Sequence, residues 1–489
     1  MLKLLKNVPK NLPSFLFLSI VVNNFYWIYT FIRTRGFNNP DCFQHIHIAW
    51  NISQGLKLYK DFFEHHGPLY SLLNGFILSK LKNPASMETL YLLREISFFS
   101  SIACVFLIFL IAKNIFKKNN LALLSIAIYS MWDIVHNFSI SIRPDILQNF
   151  FILLAIYLFF KAKDSNNKLF FILSGFSFAI MLLFNFKTLI ILAALIFSCV
   201  FLKINKQNPL SYQDYFFIFI GFLLPIIFIS IYFLEQNSFK EFIDSNIFFN
   251  FKFFANKNKR AYSFLANIFF SKDIVLTSLI IPSILIIDKL KLKQNILLSS
   301  FIFSLYGSLK GFYSHYALIF LPFASIFITH FLYKLYKLAK HKKKLSIFFL
   351  LIIILCITFI NQKKLLFFKK AFKHFALTQQ ELTLDWMLKN TNRNDEVCKM
   401  ENKCIAYIFN KDALPHNWFL YNRNNIELNK NHCKKNKKTI VAVSAHIDSD
   451  NIEGYTRILL QNQTTKKIYT NCLLVNKEIY TMSRNIIKE

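Results

Sequence analysis

Long apolar runs recur along this chain from Leu12 to Ile360. Each approaches the roughly 20 residues that a helix needs to cross the hydrocarbon of a bilayer. A soluble domain does not repeat such runs at this density. The chain therefore reads as a polytopic α-helical membrane protein. Its composition agrees, with 54% hydrophobic residues, 59 Phe and only 9 Gly. Eleven spans are expected, at about 12–32, 97–112, 121–136, 145–160, 169–185, 188–202, 214–234, 265–287, 295–309, 315–333 and 345–361. The first lacks a small-residue cleavage site and reads as a retained helix.

The formal charge of +32 does not imply nucleic acid. The basic residues cluster between apolar spans, where they act as topology signals, and no basic segment sits on a soluble nucleic-acid module. With the N-terminus cytoplasmic, the inner segments hold twenty lysines, among them Lys3, Lys113, Lys161, Lys203, Lys291 and Lys342. The short outer loops then hold only Arg143, Lys187 and Lys310. That asymmetry is the positive-inside signature.

Three longer segments fall outside: the loop 33–97, the segment 235–264 and everything after about Asn361. The division expected is a transmembrane region, 1–361, and an extracytoplasmic domain, 362–489. In the tail the hydrophobic runs shorten. Leu377 to Asn390 has an amphipathic helical pattern, and segments 439–444 and 467–474 read as strands. A small α/β or α+β module is implied. Its Cys398, Cys404, Cys433 and Cys472 permit two disulfides in an oxidising compartment. Free thiols remain open as well, and metal binding is disfavoured by the absence of CxxC spacing.

Chemistry is concentrated in the first outer loop. Asp41 stands at the membrane edge, and the loop ends in Asp61-Phe62-Phe63-Glu64-His65-His66-Gly67-Pro68-Leu69. Ionisable residues at a membrane boundary are costly and usually functional. Asp41 has two compatible readings, a helix N-cap and a general base within reach of a hydroxyl. Three further clusters lie at other outer edges. Ser141-Ile142-Arg143-Pro144-Asp145 opens a span, although Pro and Asp also suit a helix first turn on structural grounds. Asn185-Phe186-Lys187-Thr188 places a cation between two spans, either for a phosphate or as a snorkelling side chain. Lys310-Gly311-Phe312-Tyr313-Ser314-His315-Tyr316 leads to Leu321-Pro322.

In order, Asp41, Ala49-Trp50, Gly55, Tyr59, Asp61, His66 and Pro68-Leu69 resemble the first outer loop of polyprenyl-phosphate-sugar-dependent membrane glycosyltransferases. These are the GT-C-fold enzymes of the protein-mannosyltransferase and aminoarabinose-transferase type. The Arg-Pro-Asp, Lys-Thr and His-Tyr elements are similar to pieces of the same family, so the resemblance runs in scattered pieces over 1–361. Many relatives have Lys where this chain has His66. The Trp-Trp-Asp-Tyr-Gly motif of oligosaccharyltransferases is absent from the tail, which disfavours transfer of a preassembled glycan to Asn.

The resemblance implies a GT-C-like membrane enzyme. It would move one sugar from a polyprenyl-phosphate donor to an acceptor hydroxyl on the outer face, with inversion. Asp41 would be the catalytic base. Asp61, Glu64, His65, His66, Arg143, Asp145, Lys187, Arg260, His315 and Tyr316 would bind substrate. The acceptor would be an envelope glycolipid, polysaccharide or protein, and the location a bacterial inner membrane. Relatives vary in metal use, so a divalent metal is allowed, but no metal cage is legible in the sequence. Two other classes remain, a transporter or lipid flippase and a scaffold with an outer domain. A transporter places its polar groups near the midplane, whereas the acids of this chain sit at the outer edge.

Overall fold

The computed structural model describes residues 12–34, 40–205, 210–251, 274–285, 292–311, 314–340 and four strands of the tail. The chain forms two compact units. One comprises Met1–Thr30, His65–Tyr70 and Arg94–Phe368. The other comprises Phe31–Glu64, Ser71–Leu93 and Lys369–Glu489.

The fifteen described α-helices are α1 (Leu12–Thr30), α2 (Pro40–Ser53), α3 (Pro68–Ser79), α4 (Met87–Phe116), α5 (Asn119–Ser130), α6 (Asp133–Phe138), α7 (Asp145–Ser165), α8 (Lys168–Phe184), α9 (Leu189–Ile204), α10 (Tyr212–Glu235), α11 (Phe239–Ile243), α12 (Ile274–Ser278), α13 (Ile280–Leu285), α14 (Leu292–Gly311) and α15 (Ala317–Lys340). Single 3₁₀ turns at Phe186–Thr188 and Ser314–Tyr316 lead into α9 and α15, and α11 runs on as a π-helical turn over Asp244–Phe248.

Among the described residues five helices are long and apolar enough to cross a membrane: Met87–Phe116, Asp145–Ser165, Phe186–Ile204, Tyr212–Glu235 and Ala317–Leu338. The apolar Lys168–Phe184 is shorter. Three expectations shift. The span expected at 121–136 is broken between α5 and α6 at Met131-Trp132. Helix α4 begins ten residues before the expected 97, because Glu88, Arg94 and Glu95 lie on its first turns rather than in a loop. Of 265–287, the described part forms two short helices, α12 and α13. The span at 345–361 and the helical pattern at Leu377 to Asn390 lie outside the described residues.

Local signals set the helix ends of the first unit. The Asn167 side chain accepts from the Leu169 N–H at the start of α8. Ser211 and Asp214 form a reciprocal capping box on α10. Helices α8 and α10 then pack backbone to backbone. A Cβ on Gly175 would lie 1.9 Å from the Ile218 carbonyl oxygen, and one on Gly221 would lie 1.9 Å from that of Ile172. Small residues let membrane helices approach this closely. The aromatic interior includes Tyr129, Trp132, Phe159, Phe301 and Phe320, all fully buried. On α10, by contrast, Phe216, Phe219 and Phe228 are exposed, an apolar outer face that suits hydrocarbon. Buried polar side chains are tied across helices: Asn24 of α1 donates to the Ser130 carbonyl at 3.1 Å, and Ser125 to the Thr329 hydroxyl at 3.0 Å.

In the second unit, α2 starts at Pro40, whose fixed φ suits a first helical position. Arg33 makes a bidentate pair with Glu88, at 2.9 and 3.0 Å, and lies over the Tyr91 ring at 4.9 Å. The tail contributes a sheet of β1 (Val397–Lys399), β2 (Ile440–Ala442), β3 (Tyr455–Gln461) and β4 (Ile468–Asn476), in the order β1-β2-β4-β3. Strand β1 pairs parallel to β2, and β4 is antiparallel to both β2 and β3. Strands β2 and β4 fall where the sequence pattern expected them.

Candidate active site

The loop that enters α3 is shaped by local chemistry. Gly55 takes φ +88° and Tyr59 φ +67°, and the Asp61 carboxylate accepts from the Lys57 N–H at 2.6 Å. Asp61 is therefore an exposed turn-former in this structure. At the far end of the loop, Gly67 lies against the C-terminus of α8. A Cβ there would be 2.2 Å from the Leu183 carbonyl oxygen and 2.8 Å from the Phe184 carbonyl carbon. Only glycine allows that approach. The contact brings His66 to the turn that carries Lys187.

Four separated sequence elements meet in the first unit. The Arg143 Nε and Asp145 Oδ2 pair at 2.8 Å, both side chains nearly excluded from solvent. The other Asp145 oxygen lies 3.9 Å from His315 Nε2. The His315 ring packs on Phe138 at 5.8 Å and on Tyr316 at 4.5 Å. The Lys187 ammonium stands over the Tyr316 ring, 3.9 Å from its centroid, a favourable cation–π geometry. Lys187, Arg143 and Asp145 all act electrostatically on His66. Loss of hydration, then Lys187 and Arg143, push the His66 imidazole down to about 3, and Asp145 opposes them only in part. The free protein thus holds His66 neutral.

Among the described residues of this cluster, Arg143 and Asp145 are buried and Lys187 and His66 are half-buried, so two permanent cations and one carboxylate stand close together. The arrangement can hold a phosphate and stabilise charge that grows on it.

His65 is buried beside this cluster. Its ring is 3.9 Å from that of His66, and its carbonyl accepts from Asn250 Nδ2 at 2.7 Å. Asp41, Asp61 and Glu64 belong to the second unit. Asp41 lies in the first turn of α2, where a carboxylate complements the helix dipole. Glu64 is fully buried. In the same unit, buried His45 offers a ring nitrogen within 4.8 Å of a Glu64 carboxylate oxygen. Imidazole with carboxylate suits a divalent ion such as zinc or manganese. His45 was not singled out in the sequence, although its spacing four residues from Asp41 was a signal. Arg260 lies outside the described residues.

Residues 78–233 match the model of the dolichyl-phosphate-mannose-protein mannosyltransferase family. That stretch holds Arg143, Asp145 and Lys187. No curated protein matches the chain. Among solved structures, ArnT from Cupriavidus metallidurans bound to undecaprenyl phosphate aligns with a TM-score of 0.60 at 8% identity, over 96% of this chain and 98% of that one. The archaeal oligosaccharyltransferase AglB from Archaeoglobus fulgidus, in complex with an inhibitory peptide and a dolichol-phosphate, aligns at 0.49 and 14% identity, over 77% of this chain and 58% of that one. Apo ArnT aligns at 0.47 and 10%, over 65% and 59%. The chain thus spans less than two thirds of the AglB and apo ArnT chains. Family match and fold together define the class: this is a GT-C-fold membrane protein, similar to the polyprenyl-phosphate-dependent glycosyltransferases. Within that class the ArnT likeness extends over nearly the whole of both chains.

Proposed function

We propose that this protein transfers a single sugar from a polyprenyl-phosphate donor to an acceptor hydroxyl on the extracytoplasmic face of a bacterial inner membrane. The observation that carries this reading is the cluster that brings the cations Arg143 and Lys187 together with Asp145, His66, His315 and Tyr316. Arg143 and Lys187 bind the donor phosphate. His66, neutral in the free protein, gains a proton as the phosphate arrives, since an anion favours its charged form. Asp145 holds Arg143 in place. His315 and Tyr316 complete the wall, with the Tyr316 ring under Lys187.

The reaction assigned is an inverting displacement. The Asp41 carboxylate takes the proton from the acceptor hydroxyl, and the oxygen attacks the anomeric carbon. The bond from that carbon to the phosphate oxygen breaks, and polyprenyl phosphate leaves carrying the electron pair. Arg143 and Lys187 stabilise the charge that develops on it. A divalent cation, where the enzyme uses one, would be held by His45 and Glu64 and would supply Lewis-acid stabilisation of charge. The acceptor is an envelope glycolipid, polysaccharide or protein. Eleven spans, a cytoplasmic N-terminus and an extracytoplasmic α/β tail complete the reading, which the lysine asymmetry supports.

The test is transfer from a labelled polyprenyl-phosphate sugar in membranes with matched protein levels. Arg143→Gln should lose donor use while the protein still accumulates. Unchanged donor dependence in that variant would remove the phosphate from this cluster.

A further inference from the structure

The polar atoms of Asn185 can be accounted for one by one. Its backbone N–H donates to the Met181 carbonyl at 3.2 Å. Its carbonyl accepts from the Thr188 N–H at 3.2 Å and from the Thr188 hydroxyl at 2.7 Å. Its side-chain oxygen accepts from the Lys187 N–H at 3.2 Å. The amide nitrogen Nδ2 alone has no acceptor among the described residues, although Asn185 is only 4% exposed. The amide cannot be turned over to cure this, because its nitrogen would then face the Lys187 N–H. A buried donor left without an acceptor bears its full desolvation cost, so each such group in a native structure calls for an explanation.

Its surroundings supply one. Both flanks of Asn185 lead toward the cluster. On one side the Phe184 backbone meets Gly67, next to His66. On the other the Lys187 ammonium covers Tyr316. All of these residues belong to the first unit. We propose that Asn185 Nδ2 is a ligand for a phosphoryl oxygen of the lipid donor, a neutral hydrogen bond contributed from the turn that carries Lys187. This rests on the donor assigned under Proposed function. A neutral amide adds a contact without a third permanent cation, which would repel the first two. Through Oδ1 the same side chain fixes the backbone of Lys187, so one residue both places the cation and shares its ligand.

The experiment measures binding of polyprenyl phosphate to the purified full-length protein in detergent by native mass spectrometry, with inorganic phosphate as a second probe. Asn185→Ser keeps a capping oxygen for the Lys187 N–H but is too short to present the amide. Its lipid affinity should fall about tenfold, the scale of one lost hydrogen bond to a charged group, with the melting temperature near that of the parent. Asn185→Asp also keeps the cap and should bind more weakly still, as like charges face each other. If Asn185→Ser fails to fold, Asn185→Asp carries the test. The donor KM should rise and kcat should fall with it, because the phosphoryl oxygen gains charge as the polyprenyl phosphate leaves. Asn167→Asp alters the same kind of cap at the other end of α8 and should leave binding unchanged. Lipid affinity of a folded Asn185→Ser within twofold of the parent overturns this inference and leaves the donor reading intact. Loss of inorganic phosphate binding alone, with lipid binding kept, assigns the amide to a free anion and also overturns it. A parent protein that binds no polyprenyl phosphate overturns the donor reading and this inference with it.

Discussion

At His66 burial and neighbouring charge act in the same direction. An ordinary imidazole titrates at about 6.5; this one is pushed down to about 3, by loss of hydration first and then by Lys187 and Arg143. The sign of the pH dependence follows. Between about 3 and 6.5 the unfolded chain takes up a proton that the folded site refuses, so His66 costs stability as pH falls through that window and nothing above it. His66→Gln should therefore lose less melting temperature than the parent between pH 7 and pH 5, read by thermal unfolding in detergent. An equal loss in both would show that His66 does not titrate this way. Lys187 permits a sharper prediction. A snorkelling lysine contributes little, whereas a charged hydrogen bond to phosphate contributes about 1.5 to 3 kcal/mol. Lys187→Ala should lower donor affinity by about the corresponding 10- to 100-fold, and titration of donor in the transfer assay reads it directly. At this scale much was legible in the sequence, since Arg143, Asp145, Lys187, His315 and Tyr316 each stood in a recognisable cluster. Asn185 did not stand out, because a spare amide proton becomes visible only once burial and partners are known. Asp61 stood out as well, and its carboxylate accepts from the Lys57 N–H in a turn.

Elements set the distances that residues use. The contact of Gly67 with the end of α8 joins the first outer loop to the Lys187 turn, and its contact atoms are backbone, which cannot swing aside. Gly67→Ala should therefore cut transfer activity strongly, with the helical content by circular dichroism unchanged. Gly175 and Gly221 make the matching argument for stability. Gly221→Ala forces α8 and α10 apart and should destabilise by about 1 to 3 kcal/mol, the usual effect of overpacking, seen as a lower melting temperature in the same detergent. A melting temperature unchanged in Gly221→Ala would mean the two helices do not pack backbone to backbone. Periodicity located most helices, but it could not show which would touch. The break at Met131-Trp132 carries no Pro or Gly to announce it. It follows from tertiary packing, with the Trp132 indole reaching the Ser325 hydroxyl at 3.3 Å. Charges near Glu88 and Arg94 made the start of α4 read as loop, whereas a helix of 30 residues is longer than the hydrocarbon and carries them at its end.

For the whole molecule we propose the orientation that the lysine asymmetry supports, with Lys342 inside and Asn390 outside. A cysteine at 390 should react with an impermeant reagent in intact cells, and one at 342 only after the membrane is opened. The opposite pattern would invert the topology. The proposed chemistry is transfer of a sugar from a polyprenyl phosphate with Asp41 as the base. One measurement tests it most directly, transfer from a labelled polyprenyl-phosphate sugar by the parent and by Asp41→Asn at matched protein levels. Asn keeps the size of the side chain and, at this first-turn position, gives up only the modest interaction of a carboxylate with the helix dipole, but it cannot accept the proton. The parent should transfer label with inversion at the anomeric carbon, and Asp41→Asn should accumulate normally while turnover falls by about 10² to 10⁴, the usual share of a positioned base. Near-parental transfer by Asp41→Asn would contradict the assignment of the base, and a parent that releases no sugar from any polyprenyl-phosphate donor would contradict the proposed activity itself.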